Sequence, residues 1–198
     1  MILKPLKREF FERNTVEVAR DLLGHFLVRK IDENTILVGK IVETEAYCGK
    51  NDPASHASRG VTPRTKIMFG KPGIAYIYFI YGMYYCLNVV TEPEGTAGAV
   101  LFRAIEPIKG IEYMMKLRNA KRIKDLTNGP SKLTLALDIT KDLNGTDMTV
   151  IGPLYLAENK NKGNFEIVAT KRIGIKVGLD KDWRFYIKGN PFVSKKII

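Results

Sequence analysis

The amino-acid sequence predicts an α+β fold in a single domain. The chain has 198 residues, which is enough for one substantial hydrophobic core but short for two. Amphipathic stretches with helical spacing alternate with apolar runs of strand length, and no repeat or low-complexity linker separates them. We therefore treat residues 1–198 as one domain.

The first third of the chain predicts one helix, three strands and a loop. Asn14 can cap a helix whose apolar residues run from Val16 to Leu23 and which Gly24 ends. Strands are expected at 26–29, 36–38 and 41–45. Residues 50–66 are rich in Pro, Ser, Gly and Arg and lack a period, so they predict a long irregular loop, which is usually functional or disordered.

The middle of the chain predicts a β-hairpin. Residues 75–79 alternate between apolar and polar sides and residues 84–90 form a second strand, with Tyr81-Gly82-Met83 as the turn between them. The remaining elements are expected in this order: a strand at 99–105, helices at 111–123 and 130–137, a polar region at 142–164, and strands at 166–168, 173–177 and 184–187.

The formal net charge of +11 favours a polyanionic partner, with nucleic acid first among them. Lysine-rich proteins can also be basic without binding anything. Cys48 and Cys86 lack the spacing of a disulfide framework or a zinc site. Because the sequence shows neither a signal peptide nor a membrane-spanning segment, we expect a soluble protein that is not exported.

Glu43, Glu45 and Tyr47 alternate at the end of a predicted strand, so they should share one face. A carboxylate there can act as a general base toward a water molecule that a neighbouring group orients. The alternative is a solvated edge face without chemistry. His56, in the following loop, can bind a ligand or merely cap a turn. His25 is better explained as a residue at a helix end.

Five tyrosines occur in ten residues, at positions 76, 78, 81, 84 and 85. Nucleic-acid bases stack on such rings, and a cationic alkylated base adds a cation–π attraction. A hairpin packed by aromatic pairs is the alternative. Tyr81, next to Gly82 at the expected turn, is the best candidate for a wedge inserted into DNA.

Several motifs occur in an order that resembles one known family. They are Glu43-Thr44-Glu45-Ala46-Tyr47, Ser55-His56, Thr62-Pro63-Arg64, Tyr76-Ile77-Tyr78, Ile80-Tyr81-Gly82-Met83, Asn88, Leu101-Phe102-Arg103, Gly129-Pro130-Ser131-Lys132, Arg172-Ile173-Gly174 and Arg184-Phe185-Tyr186. The chain is identified by them as a member of the alkyladenine (3-methyladenine) DNA glycosylase family. The likeness covers nearly the whole sequence.

The resemblance implies a mostly antiparallel curved sheet with a protruding β-hairpin and surrounding helices, similar to the C-terminal domain of formyltransferases. It implies a monofunctional, monomeric intracellular enzyme that needs no cofactor or metal. The expected partner is double-stranded DNA containing a damaged purine such as 3-methyladenine, 7-methylguanine, hypoxanthine or ethenoadenine. The enzyme would flip this base out of the duplex and hydrolyse its bond to the sugar.

The family's site residues can be placed on this sequence by their motifs. Glu45 matches the general base that activates water, Arg103 matches a residue that holds Glu45 and the water, and the carbonyl of Ile173 matches a further water contact. The other implied positions are Tyr47, His56 and Tyr78 around the flipped base, Tyr81 in the minor groove, Asn88 against the 2-amino group of guanine, and Arg64 and Lys132 as DNA contacts.

One family arginine has no firm position here. The loop after His56 is a residue shorter than in some members, so Arg59 is only a candidate for the family's phosphate contact. No residue is an obvious proton donor for neutral bases. Two other functions fit the residues alone: a non-catalytic nucleic-acid-binding module, and a hydrolase of small carbohydrates or nucleosides. Strong positive charge argues against the second, because a neutral substrate gains little from it.

Overall fold

The computed structural model describes residues 3–194. Within them lie three α-helices and eight β-strands. The helices are α1 (Thr15–Asp21), α2 (Ile111–Arg118) and α3 (Pro130–Ala136). The strands are β1 (Phe26–Lys30), β2 (Ile36–Cys48), β3 (Ala75–Ile80), β4 (Tyr84–Val90), β5 (Gly98–Lys109), β6 (Leu154–Ala157), β7 (Ile167–Thr170) and β8 (Arg184–Ile187).

The strands form one curled antiparallel sheet in the order β3-β4-β5-β2-β1-β6, and β8 joins β2 and β7 outside this path. β2 is its centre, because it pairs with β1, β5 and β8 along different parts of its 13 residues. Bulges interrupt its pairing with β5 on both sides of Glu43. Such bulges bend a strand and increase its twist, which explains how one strand can serve three neighbours.

The two faces of the sheet have different roles. Residues 75, 77, 87, 89, 100, 102 and 104 belong to the main hydrophobic core, which α1 and α3 help to cover. The alternate positions face the other way, and there Tyr76, Val90 and Ala99 pack with Ala57 and Met68 in a smaller cluster. The 50–69 segment is therefore fixed to the face opposite the main core.

α1 begins where the sequence predicts it. The side chain of Asn14 accepts hydrogen bonds from the backbone N–H groups of Val16 and Glu17, at 3.0 and 3.4 Å, which is the usual way to satisfy the first free N–H groups of a helix. The hydroxyl of Thr44 on β2 donates to the carbonyl of Ala19 at 2.7 Å. This bond joins the helix to the central strand.

The α+β class, the antiparallel sheet and the hairpin are confirmed, but four elements differ from expectation. The two strands expected at 36–38 and 41–45 are one continuous strand, β2. The helix expected at 111–123 ends at Arg118 because Asn119 has a left-handed backbone, with φ of 46°. β6 was missed in a region expected to be polar; its four residues are all buried beside β1.

The fourth difference concerns residues 173–177, which are not a strand. Gly174 and Gly178 have φ of 82° and 65°, a conformation that breaks strand geometry. Polar groups of this segment turn instead toward side chains of the sheet, as described below. The irregular path of this segment is what brings Ile173 to the site.

Candidate active site

A row of side chains crosses the sheet on the face opposite the main core. Tyr76 on β3 is paired in register with Asn88 on β4, Asn88 with Leu101 on β5, Leu101 with Glu45 on β2, and Glu45 with Arg184 on β8. Neighbouring strands are about 4.8 Å apart, so Tyr76 and Glu45 stand roughly 14 Å from each other along this row.

A cavity of about 340 Å³ lies above this row. Strand residues at alternate positions form its floor, the 54–68 loop and the 173–175 segment form its sides, and the start of α3 lies at its edge. Its lining includes Tyr47, His56, Met68, Tyr76, Tyr78, Tyr81, Cys86, Asn88, Arg103, Ser131 and Ile173. Residues far apart in the chain thus meet because the strand register places them on one face.

The carboxylate of Glu45 is fully buried, next to Tyr47, Arg103 and Ile173 of the cavity lining. Its Oε2 accepts a hydrogen bond from the Tyr47 hydroxyl at 2.8 Å and from Arg103 Nη1 at 3.3 Å. Its Oε1 accepts from the backbone N–H of Ile173 at 2.7 Å. An ionised carboxylate has about four acceptor positions, so these three donors leave room for one more, such as a water molecule.

Glu43 is also buried, but its surroundings differ from those of Glu45. Its Oε1 accepts from Arg103 Nε at 3.0 Å and from Arg184 Nε at 2.7 Å, and both of its oxygens accept from Ser194, through the hydroxyl and the backbone N–H. Two guanidinium groups and a serine thus surround it, and of these three partners only Arg103 lines the cavity. The alternative of a solvated edge face is wrong for both acids, because neither is exposed.

The pKa of Glu45 is raised above its usual value. Burial, which penalises the charged form, is the largest cause, and it outweighs the opposing effects of Arg103, the Ile173 N–H and the Tyr47 hydroxyl. The pKa of Tyr47 is raised as well, first by burial and then by the adjacent Glu45 carboxylate. Tyr47 is therefore a neutral donor to Glu45.

Aromatic rings form another wall of the cavity. The His56 and Tyr78 rings meet edge to face with centroids 4.7 Å apart, and His56 Nδ1 is 2.9 Å from the Tyr76 hydroxyl. The guanidinium of Arg64 lies 5.1 Å from the Tyr78 ring centroid, and its Nη2 is 3.4 Å from His56 Nε2. Partial burial and the charge of Arg64 lower the pKa of His56 to about 4, so His56 is neutral at pH 7.

Asn88 occupies the middle of the cavity floor. It is buried, and its Nδ2 donates to the carbonyl of Tyr76 at 3.0 Å. Because this bond uses the amide donor, rotating the side chain would break it. Asn88 therefore presents a fixed polar surface to any molecule in the cavity.

The β3–β4 hairpin extends past the cavity and exposes apolar side chains. Tyr81 is 78% exposed and Met83 is 61% exposed. Tyr81 and Gly82 both have positive φ, at 53° and 67°, and the Met83 N–H donates to the Ile80 carbonyl at 3.3 Å. A bulky residue with positive φ is uncommon and such strain is found mostly at functional sites.

The three cations expected to contact DNA lie at different distances from the cavity. Arg64 is at its mouth, against His56 and Tyr78. Lys132 follows Ser131 of the lining, and its Nζ donates to Asn128 Oδ1 at 2.7 Å. Arg59 instead lines a separate open groove on the other side of the loop. Their phosphate contacts stay predictions.

Comparison with known proteins identifies the family. A family model described as methylpurine-DNA glycosylase matches residues 9–191. The chain belongs to this family. A relative from Carboxydothermus hydrogenoformans is 51% identical over 191 residues, covering 96% of this chain and 99% of the relative. Relatives from Alkaliphilus oremlandii and Methanocella arvoryzae are 49% and 50% identical, each covering 96% of this chain and 99% and 96% of their own length.

The names of all three relatives describe them provisionally as 3-methyladenine DNA glycosylases. The resemblance seen in the sequence is thereby confirmed, and this member of the methylpurine-DNA glycosylase family is an enzyme that hydrolyses N-glycosyl bonds in DNA repair. The alternative of a non-catalytic binding module is wrong for this chain. No helix within residues 3–194 is long and apolar enough to cross a membrane.

The structure of this glycosylase brings most of the expected site residues together. Tyr47, His56, Tyr78, Tyr81, Asn88, Arg103 and Ile173 line one cavity, and Glu45 is hydrogen-bonded to three of them. Ile173 reaches Glu45 through its N–H rather than its carbonyl, and a water contact of the carbonyl stays a prediction. His25 does not line the cavity. It accepts a hydrogen bond of 3.0 Å from the Asn159 N–H, in keeping with a local structural role.

Sequence reasoning missed two kinds of residue. Met68, Cys86 and Ser131 line the cavity but lie in motifs or loops where nothing local distinguishes them. Asp52 and Arg172, which form a buried ion pair behind Tyr47, were also not singled out. The position of Arg172 directly before Ile173 was the one available signal, and it is weak.

Proposed function

We propose that this glycosylase flips an alkylated or deaminated purine out of double-stranded DNA and hydrolyses its N-glycosidic bond with a water activated by Glu45. The substrates are 3-methyladenine, 7-methylguanine, hypoxanthine and ethenoadenine, and the product is an abasic site that enters base excision repair. The observation that carries this proposal is the buried Glu45 carboxylate, which accepts hydrogen bonds from three residues of the cavity lining and has one acceptor position left for water.

In the proposed reaction, the bond between the sugar C1′ and the purine nitrogen breaks and the base takes its electron pair. The sugar then has oxocarbenium character, as in glycoside hydrolysis. A water bound by Glu45 forms the new C1′–O bond and gives its proton to the carboxylate. The negative charge of Glu45 also stabilises the positive sugar, and Arg103 keeps the carboxylate in place.

The aromatic walls suit a flipped purine. Tyr47 on one side and His56 with Tyr78 on the other are spaced around a cavity of about 340 Å³, and base stacking on such rings contributes about 1–3 kcal/mol per base. The low pKa of His56 keeps its imidazole uncharged, so the ring adds no positive charge of its own beside a cationic methylated purine. Asn88, fixed by Tyr76, would exclude the 2-amino group of normal guanine.

The exposed turn of the β3–β4 hairpin and the positive net charge of the protein are suited to binding duplex DNA. Tyr81 is exposed at the hairpin turn, so it can fill the space that the flipped base leaves. Arg59, Arg64 and Lys132, within a net charge of +11, would bind phosphates without sequence preference. One subunit contains the whole site, so we expect the enzyme to act as a monomer.

No lysine lines the cavity among the residues that the structure describes. A glycosylase that also cleaves the strand needs an amine to attack the sugar, so we propose a monofunctional enzyme. Cationic alkylated bases leave without a proton donor. Neutral hypoxanthine and ethenoadenine require one.

The test is single-turnover base release from a series of duplexes, each carrying one of the four lesions, by the wild type and by Glu45→Gln. We expect release by the wild type and a large loss with Glu45→Gln, while binding to the duplex is retained. Strands should break only after alkali. Full activity of Glu45→Gln would overturn the role of the carboxylate, and strand cleavage without alkali would overturn the monofunctional assignment.

A further inference from the structure

A second buried ion pair lies directly behind the cavity wall. Arg172 donates through Nη1 and Nη2 to the two oxygens of Asp52, at 2.6 and 2.7 Å, and both side chains are fully buried. Bidentate pairs of this kind fix orientation as well as distance. Neither residue belongs to the reacting groups of the proposed mechanism.

The pair joins three segments of the chain. Asp52 also accepts hydrogen bonds from the N–H groups of Cys48 and Ala54, at 3.1 and 3.2 Å. Arg172 Nη1 also donates to the carbonyl of Ala46 at 2.9 Å. The end of β2, the loop that follows it and the irregular 171–178 segment are therefore held together at this point.

Two of the three donors to Glu45 lie next to this junction. The guanidinium of Arg172 packs on the Tyr47 ring, 4.7 Å from its centroid, and Tyr47 lines the cavity. Ile173, whose N–H donates to Glu45, is the next residue in the chain and is followed by Gly174 with positive φ. No regular element of the described structure holds Ile173 in place.

We propose that Arg172, held by Asp52, is a positioning residue for base excision that sets the Ile173 N–H and the Tyr47 hydroxyl against Glu45. This inference rests on the proposed role of Glu45 as the base. Removing the pair would weaken two hydrogen bonds that favour the ionised carboxylate, and it would loosen one stacking wall. The effect should therefore fall on the chemical step rather than on duplex binding.

The charged and titratable groups around Glu45 determine how its pKa responds to a substitution. They come from every neighbouring element: Glu43 and Tyr47 on β2, Arg103 on β5, Cys86 on β4, Arg184 on β8 and Arg172 on the irregular segment. Arg103 and Arg184 are bonded to Glu43 and not to Asp52 or Arg172, so we expect these bonds to remain when the Asp52–Arg172 pair is removed. A shift in the titration of Glu45 would thus report the lost Ile173 and Tyr47 contacts.

The experiment measures single-turnover release of 7-methylguanine from duplex DNA between pH 5 and 9 for Asp52→Asn and Arg172→Lys, because neither side chain can restore the bidentate pair. We expect release to slow by about tenfold to a hundredfold, the acidic limb of the profile to move to higher pH, and the duplex dissociation constant to stay unchanged. Asp147→Asn is the matched control, because it removes an Arg8–Asp147 pair outside the cavity and should leave the limb in place.

If the single variants do not fold, Arg172→Met/Asp52→Leu is measured instead, because it leaves no buried charge without a partner. An unmoved acidic limb in a folded variant, or a shift of equal size in Asp147→Asn, would overturn the positioning role. Glu45→Gln, assayed alongside, separates the two proposals. If Glu45→Gln is inactive while Asp52→Asn behaves as wild type, only the positioning role of Arg172 is contradicted. If Glu45→Gln is fully active, the proposed role of Glu45 as the base is contradicted.

Discussion

Glu43 and Glu45 bind the same guanidinium: Arg103 donates through Nε to Glu43 at 3.0 Å and through Nη1 to Glu45 at 3.3 Å. A single cation thus joins an acid that supports the fold to an acid beside the cavity. Glu43 has two further partners, Arg184 and Ser194, whereas the other partners of Glu45 line the cavity. The two acids should respond differently to the same substitution.

Glu43→Gln should destabilise the fold more than Glu45→Gln does. Removing the charge of Glu43 takes a buried carboxylate away from two guanidinium groups, those of Arg103 and Arg184, and breaking a buried ion pair typically costs about 3–5 kcal/mol. Burial already disfavours the charged form of Glu45, so replacing it with neutral glutamine should lower the free energy of unfolding less. Urea unfolding of both variants at pH 7 measures the two free energies. Equal losses would contradict the different roles assigned to the acids.

Base release should fall as the pH drops through the raised pKa of Glu45. A general base must be ionised, so activity is present above this pKa and lost below it. A duplex with 7-methylguanine suits this measurement, because the methylated base leaves without a proton donor, and any titration of the base itself is common to the wild type and Glu45→Gln. The rate should rise to a plateau with increasing pH, and the residual rate of Glu45→Gln should lack this limb. A limb at the ordinary glutamate pKa would contradict the effect of burial.

The stability of the protein should also depend on the ionisation of Glu45, but it should fall, rather than rise, with increasing pH. Because the folded-state pKa of Glu45 is raised, the folded protein binds this proton more tightly than the unfolded chain does. Relative to Glu45→Gln, the wild type should therefore lose stability as the pH rises from the ordinary value of 4.5 through the raised one. Paired unfolding curves at several pH values give the free energy of unfolding of the wild type minus that of Glu45→Gln. This quantity should fall as the pH rises, and an increase would contradict the raised pKa of Glu45.

Arg64 should lower the pKa of His56, in addition to the larger effect of burial. The chain contains two histidines, and the pKa values of His25 and His56 are lowered to about 3 and 4. Nuclear magnetic resonance should show both rings neutral at pH 6. Arg64→Ala should raise the pKa of His56 and leave that of His25, which lies elsewhere, unchanged. If both moved together, a general change in the fold rather than the local charge of Arg64 would be responsible.

The sequence predicted the fold well where local signals and packing agree. Asn14 caps α1 as expected, and the alternation around Tyr76 and Asn88 correctly indicated a hairpin. β6 could not be predicted, because its four residues acquire their environment only by pairing with β1. The 173–177 segment was misassigned because its apolar residues fit a strand, while its glycines and its bond to Glu45 decide otherwise.

The site residues could be predicted only from strand alternation and from the family motifs. The face shared by Glu43, Glu45 and Tyr47 follows from strand alternation, and the hydrogen bonds around Arg103 confirm it. The choice of Glu45 over Glu43 came from family resemblance. The geometry adds a physical reason, since Ser194 and Arg184 occupy the oxygens of Glu43. Contacts across more than a hundred residues leave no signal in local sequence.

The strained turn residue Tyr81 offers a test of DNA insertion that is separate from stability. Its side chain is 78% exposed and its φ is 53°, a conformation that asparagine adopts more easily than tyrosine. Tyr81→Asn should leave the free energy of unfolding unchanged or raise it by up to about 1 kcal/mol. The exposed ring is thus kept at a cost to the fold, which makes sense if the ring acts on the substrate.

The activity of Tyr81→Asn should depend on whether the lesion is paired. A wedge acts by filling the space of an extruded base, so release from duplex DNA should slow, whereas release from a single strand, which needs no wedge, should be nearly unchanged. Tyr81→Phe keeps the ring and should retain duplex activity. Equal losses on both substrates would place Tyr81 in the binding of the base itself, because only a pocket contact affects paired and unpaired lesions alike.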